Sequence, residues 1–183
     1  ALLLFFCTSA GLQAQCWPEG FTHDTRPQQM WLSCATAESP NPDRGEGLWL
    51  QYDLGFTYSL TTSKIWNYNE PNLLDLGVRR LAVDYSLDGQ TWINWGEIDL
   101  ELATGRRDYA GELGPDFNGA DARFVLFTVL ATGTTFDDCA GLAEVRFNLG
   151  GTVSTDDPTL AANLEVFPNP AKDFVDIRLN NTS

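Results

Sequence analysis

The sequence predicts an all-β fold, an antiparallel jelly-roll β-sandwich, and three observations carry that expectation. From Leu48 onward, stretches with apolar-polar alternation recur between turn residues at the spacing of sandwich strands. No stretch sustains a 3.6-residue apolar period. Loops, not the alternating stretches, carry most of the Pro and Gly. Hydrophobic residues make up 43% of the 183, and six are Trp, enough for one ordinary core and a smaller second piece.

Strands are expected near 48–54, 59–68, 78–86, 91–98, 107–113, 122–131 and 142–149, with an earlier one near 19–23. The third and fourth form a hairpin: Leu81, Val83 and Tyr85 alternate with Ala82, Asp84 and Ser86, and Asp88-Gly89 supplies the positive φ of a tight turn. Strand 122–131 is apolar on both faces, as a strand covered on both sides would be. Antiparallel strands reverse at each connection, so loops 24–47, 69–77, 99–106 and 132–141 should share one end. Turns 55–58, 87–90 and 114–121 should share the other.

The ends of the chain have a different texture. Residues 1–14 form a short apolar run closing on small residues, read as part of a secretory signal with cleavage after Ala14. The run is too short to span a membrane. Residues 15–150 are the sandwich, 151–163 an acidic linker rich in small residues, and 164–183 a separate C-terminal piece. Cys16, Cys34 and Cys139 would remain after cleavage, which allows three pairings. Loop parity favours Cys34 with Cys139, leaving Cys16 as the alternative partner of either.

Charge removes several function classes. The formal net charge is −14, from 11 basic and 25 acidic residues, and the only adjacent basic pairs are Arg79-Arg80 and Arg106-Arg107. Nucleic acid and anionic lipid need clustered Lys and Arg, so neither is an expected partner. Catalysis finds little to use. His23 is the sole histidine, and the sequence has no phosphate loop, H-E-x-x-H or C-x-x-C. The chain is not expected to be an enzyme.

Three motifs in order give a more specific reading: Trp49-x-x-x-Asp53-Leu54-Gly55, then Tyr85-Ser-x-Asp-Gly-x-Thr-Trp92, then Gly141-Leu-x-Glu-x-x-Phe147. Over roughly residues 20–150 they resemble the coagulation factor 5/8 type C (discoidin) domains and the galactose-binding-like modules attached to bacterial glycoside hydrolases. The resemblance implies a non-catalytic module whose ligand face is built from loops at one end. A galactose-binding-like module would recognise carbohydrate on a polysaccharide or cell surface. The alternatives are a protein-binding or adhesion domain, and an accessory module of a larger secreted hydrolase. The C-terminal Leu164-Glu-Val-Phe-Pro-Asn-Pro-Ala171, with the alternating Phe174, Val175, Ile177 and Leu179, resembles the start of the sorting domain read by the type IX secretion system. That implies type IX machinery as a partner and a secreted or cell-surface location in a Gram-negative bacterium. It also makes the sequence a piece of a longer gene, opening inside its signal peptide and stopping inside its sorting domain.

Sugars stack an apolar C–H face on aromatic rings and take hydrogen bonds from amide, carboxylate and guanidinium groups. Same-end loops and strand junctions offer Trp31, Trp66, Tyr68 and Phe136 for stacking. His23, Arg44, Asn67, Asn69, Asn72 and Asp137 are the polar candidates among them. Trp31 and Trp66 could equally be core, while Trp49, Trp92 and Trp95 sit on strands and should pack. The galactose-binding-like resemblance also implies a structural calcium ion held by Asp24, Ala143 and Glu144, although Arg26 and Gln29 depart from the usual ligand loop. The other reading of Glu144 is an acid on the outward strand face, with Val145 and Phe147 packed inward.

Overall fold

The computed structural model describes residues 22–134 and 139–152 and two short strands, 164–166 and 177–179; beyond residue 150 only the backbone is described. The signal segment 1–14, Cys16, Phe136 and Asp137 lie outside the described residues.

The strands are β1 (Trp31–Ser33), β2 (Ala37–Glu38), β3 (Glu46–Gly47), β4 (Trp49–Asn67), β5 (Val78–Ser86), β6 (Ile93–Asp99), β7 (Glu112–Thr132) and β8 (Ala140–Thr152). β9 (Leu164–Val166) and β10 (Ile177–Leu179) form a separate antiparallel pair. Six strands join in the order β1-β8-β4-β7-β5-β6, and every pairing among them is antiparallel.

Two strands are longer than the sequence reading expected, and they build the sandwich. Trp49–Asp53 of β4 pairs with Phe124–Thr128 of β7, whose outer neighbours are β5 and then β6. Tyr58–Ile65 of β4 pairs with Glu112–Ala122 of β7 and, on its other side, with β8. The expected turns at 55–58 and 114–121 are therefore bends that carry one strand from layer to layer. In the first, Leu54, Gly55, Phe56 and Thr57 face Arg123 alone; in the second, Phe117, Asn118 and Gly119 face Thr61 alone. Gly55, Asn118 and Gly119 take φ of 79°, 52° and 80°, a left-handed backbone that Gly adopts freely and Asn tolerates. Hydrogen bonds from Asn69 still bring residues 22–26, 69–77 and 100–106 together at one end, as loop parity expected, while the 37–47 part of the first loop lies elsewhere. The expected strand 107–113 is mostly a turn, joined to the body by a bridge between His23 and Tyr109.

Both layers feed one core: Tyr52, Leu54, Leu60, Ile65, Leu81, Val83, Val125, Phe127, Val145 and Phe147 are buried in one cluster. Phe147 of one layer meets Tyr52 and Phe127 of the other at ring separations of 5.5 and 6.3 Å. The β5–β6 hairpin forms as read, with Gly89 at positive φ and the Asp88 carboxylate accepting from the Gln90 and Thr91 amides.

Residues 37–47 form a strap over the outside of the β5-side layer. Arg44 donates through Nε and Nη2 to both carboxylate oxygens of the fully buried Asp84, at 2.8 and 2.7 Å. Trp92 Nε1 donates to the Pro40 carbonyl and Trp49 Nε1 to that of Ala37. This cover explains why Val125 to Thr128 are buried on both faces, as expected for that strand. Trp92 thus anchors the strap and is not part of the core, while Trp95 does pack on Phe117.

Candidate functional site

A second, smaller cluster lies on the far side of the β8-side layer. Ile65 faces the main core, so alternation sends Trp66 outward, where Met30, Tyr68, Leu76, Ala103, Tyr109 and Ala143 enclose it. Gly141 lies directly under the Tyr68 ring, where a Cβ would collide. The Tyr68 hydroxyl donates to Glu70 Oε2 at 2.7 Å. Tyr109 closes the cluster, with its hydroxyl accepting from the Asn67 amide and burial pushing its phenol up to about 12.

Two asparagines pin the loops above this cluster. Asn67 Nδ2 donates to the carbonyls of Val78 and Glu101, while its Oδ1 accepts from the Val78 and Tyr68 amides. Asn69 Nδ2 donates to the Arg106 carbonyl at 2.8 Å and lies 3.3 Å from those of His23 and Asp24, and its Oδ1 accepts from the Gly105 amide at 2.8 Å. Loops 22–26, 68–77 and 100–109 are thereby tied at one end. The Cys34–Cys139 disulfide, the pairing favoured by loop parity, adds the loop before β8.

This arrangement corrects four of the expected ligand-binding residues. Trp66, Asn67, Tyr68 and Asn69 are each no more than 1% exposed and hold the loops from beneath, so no sugar reaches them. Arg44 is corrected too: it sits on the strap, with Asp84 and Asn94, away from the loop end. Asn72 is exposed in the loop after β4 and Trp31 is half-buried on β1. His23 is buried, its Nδ1 donating to the Asp24 carbonyl at 2.8 Å.

The residues expected to hold calcium do not fit it. Asp24 accepts from the Thr25 amide and from Arg26 Nε, each at 2.6 Å. The Thr25 amide, then Arg26, hold its carboxyl below the usual range, outweighing burial. Glu144 is buried and paired with Arg146, while Val145 and Phe147 face inward. Guanidinium groups stand where a hard cation would need oxygen ligands. Among the described residues no three His, Cys, Asp or Glu side chains come together to hold a metal ion.

What the sequence reading missed are the arginines on the rim. Arg26, Arg106 and Arg107 project from two of the pinned loops, their side chains 62%, 73% and 86% exposed. The available signal was the Arg106-Arg107 pair, one of only two adjacent basic pairs in a strongly acidic chain. Among the described residues no helix is long and apolar enough to cross a membrane.

Solved structures similar to this chain include a carbohydrate-binding module, CBM32-3, from a family 31 glycoside hydrolase of Clostridium perfringens, at 23% identity and a TM-score of 0.48 over 66% of this chain and 74% of that one. A fragment of a putative chitobiase from Bacteroides thetaiotaomicron is 21% identical, with a TM-score of 0.47 over 69% and 71%. A family 89 glycoside hydrolase from Clostridium perfringens is 17% identical, with a TM-score of 0.45 over 69% of this chain. The chain spans only 12% of that enzyme's length. No protein-family profile and no curated protein matches the sequence.

Proposed function

We propose that this chain is a non-catalytic module that binds carbohydrate, on a polysaccharide or a cell surface, with the loops at one end of its sandwich. Asn69 is the observation that carries this reading. One buried carboxamide joins loops 22–26, 68–77 and 100–109, so the groups above it are held before any ligand arrives. Rigid presentation from a scaffold is what a recognition surface needs, because ordering loops on binding subtracts from affinity. Catalysis gains no support: the sole histidine is buried and its Nδ1 is committed to a backbone carbonyl. Trp31, Asn72, Phe136 and Asp137 remain the sugar-facing residues of this reading. Calcium plays no part in it.

Export belongs to the same proposal. The disulfide suits an oxidising compartment. The Phe167-Pro-Asn-Pro-Ala171 motif supports delivery to the outside of a Gram-negative cell by type IX machinery. The test is retention of the full chain on a glycan array and in affinity gels cast with polysaccharide. Retention on at least one glycan class, competed by the free sugar, is expected. Retention on matrix proteins with none on any glycan would overturn the reading in favour of adhesion.

A further inference from the structure

We infer that the loop end is selective for acidic sugars, and that Arg107, flanked by Arg26 and Arg106, receives their carboxylate or sulfate. This rests on the carbohydrate reading of the same loops and names the class of sugar. Most of the described arginines are already committed to a carboxylate. Arg44, Arg79, Arg80 and Arg123 lie 2.7, 3.1, 2.6 and 2.8 Å from a carboxylate oxygen of Asp84, Glu101, Asp99 and Asp53. Among the described residues Arg107 has no partner so close. Its nearest described carboxylate oxygen is Asp24 Oδ1 at 3.9 Å, and that oxygen already accepts the Thr25 amide while Oδ2 accepts Arg26. Arg107 is therefore a nearly fully exposed guanidinium whose acidic neighbour among the described residues, Asp24, is spent on other donors.

Its base does not move freely. Gly105 and Arg106 are held by Asn69, the Tyr109 amide donates to the Arg106 carbonyl, and the His23 amide donates to that of Tyr109. Asp24 pairs with Arg26 and lies 3.9 Å from Arg107, and Arg106 follows in the same loop with Asp108 at 3.1 Å. Within this cluster three guanidiniums stand against the two carboxylates of Asp24 and Asp108, while Glu70, Asp75 and Glu101 lie elsewhere in the pinned loops. A planar fork of N–H donors with open hydrogen-bonding capacity fits a carboxylate or sulfate in two-point contact. In a chain of net charge −14, an anionic group is best received at a local cluster of guanidiniums such as this one. The neutral alternative needs an open ring for stacking. Among the described residues of this end, the aromatic side chains are buried or, for Trp31, half-buried.

The test is affinity electrophoresis of the full chain in polygalacturonate, a sulfated galactan and a neutral galactan, with duplex DNA as a phosphate control. Retardation is expected in one or both acidic polysaccharides, weakening as salt rises, and about tenfold less in the neutral one. Which acidic arm retards reports carboxylate or sulfate. Arg107→Gln should weaken that binding by about tenfold with an unchanged melting temperature, whereas Arg79→Gln should leave both unchanged. Binding to neutral galactan as strong as to the acidic polymers, or indifference to Arg107→Gln, would overturn the acidic selectivity and leave the carbohydrate reading standing. Retention of DNA with the same Arg107 dependence would overturn it as well, in favour of a phosphate ligand. Failure on every glycan would instead remove the carbohydrate reading beneath it.

Discussion

Single polar side chains decide how the loop end is built. Asn69 has four backbone groups within reach of one carboxamide. Asn69→Ala should therefore cost about 2–3 kcal/mol, because buried backbone groups lose their partners. Amide exchange at Gly105 should accelerate more than exchange in the core strands. Asn72→Ala, on the exposed side of the same loop, should fall within about 0.5 kcal/mol of the parent in chemical denaturation. The two asparagines are three positions apart and indistinguishable by residue type, and this is where the sequence reading of the site went astray. A polar or aromatic residue just past a strand looks the same whether it faces solvent or holds loops from below. The difference lies in distant residues, Met30, Arg106 and Tyr109, which local pattern does not show.

At the scale of elements, the β5–β6 hairpin was the most legible part of the fold, because its alternation and its Asp-Gly turn act over a dozen adjacent residues. Asp88 gives it a pH signature. Amides of Thr91 and Gln90 lower its carboxyl to about 2, so the unfolded chain takes up the proton first as pH falls. Its contribution is complete above the ordinary carboxylate range and disappears as pH drops through that range toward 2. Asp88→Asn should melt below the parent at pH 7, and the two melting temperatures should converge near pH 2. The strap leaves no local signal beyond that of a loop, since its anchor joins residues forty positions apart. Arg44→Ala would leave the buried Asp84 carboxylate without its cation and should cost about 3–5 kcal/mol. Adding Asp84→Leu to Arg44→Met should recover most of that loss in a double-mutant cycle read by denaturant melts.

Over the whole molecule, the all-β class and loop parity were legible, and with them the disulfide. The continuity of β4 and β7 was not. Gly55 and the Asn118-Gly119 pair read as turns, because a bend and a reversal use the same backbone conformations. Cys34 and Cys139 are 105 positions apart. Reducing their bond should therefore lower stability by about 4–5 kcal/mol in the chain-entropy picture, measured by melts with and without phosphine. Calcium should do nothing comparable. With Asp24 and Glu144 given to arginines, excess calcium and excess chelator should leave the melting temperature where it was.

The two bent strands also tie the sandwich together in time. Because β4 and β7 belong to both layers, neither layer can set its register alone. A slip of one residue in the Trp49–Asp53 ladder would be passed through the bend unless the extra residues there absorbed it, and unabsorbed it would turn Ile65 out and Trp66 in. The hairpin can close early from local contacts. The β4–β7 and β4–β8 ladders join segments separated by roughly fifty to ninety residues, and such distant pairings slow folding. Refolding should therefore wait on one event, the zipping of β4 against β7 through the bend, after which both halves of the core close together.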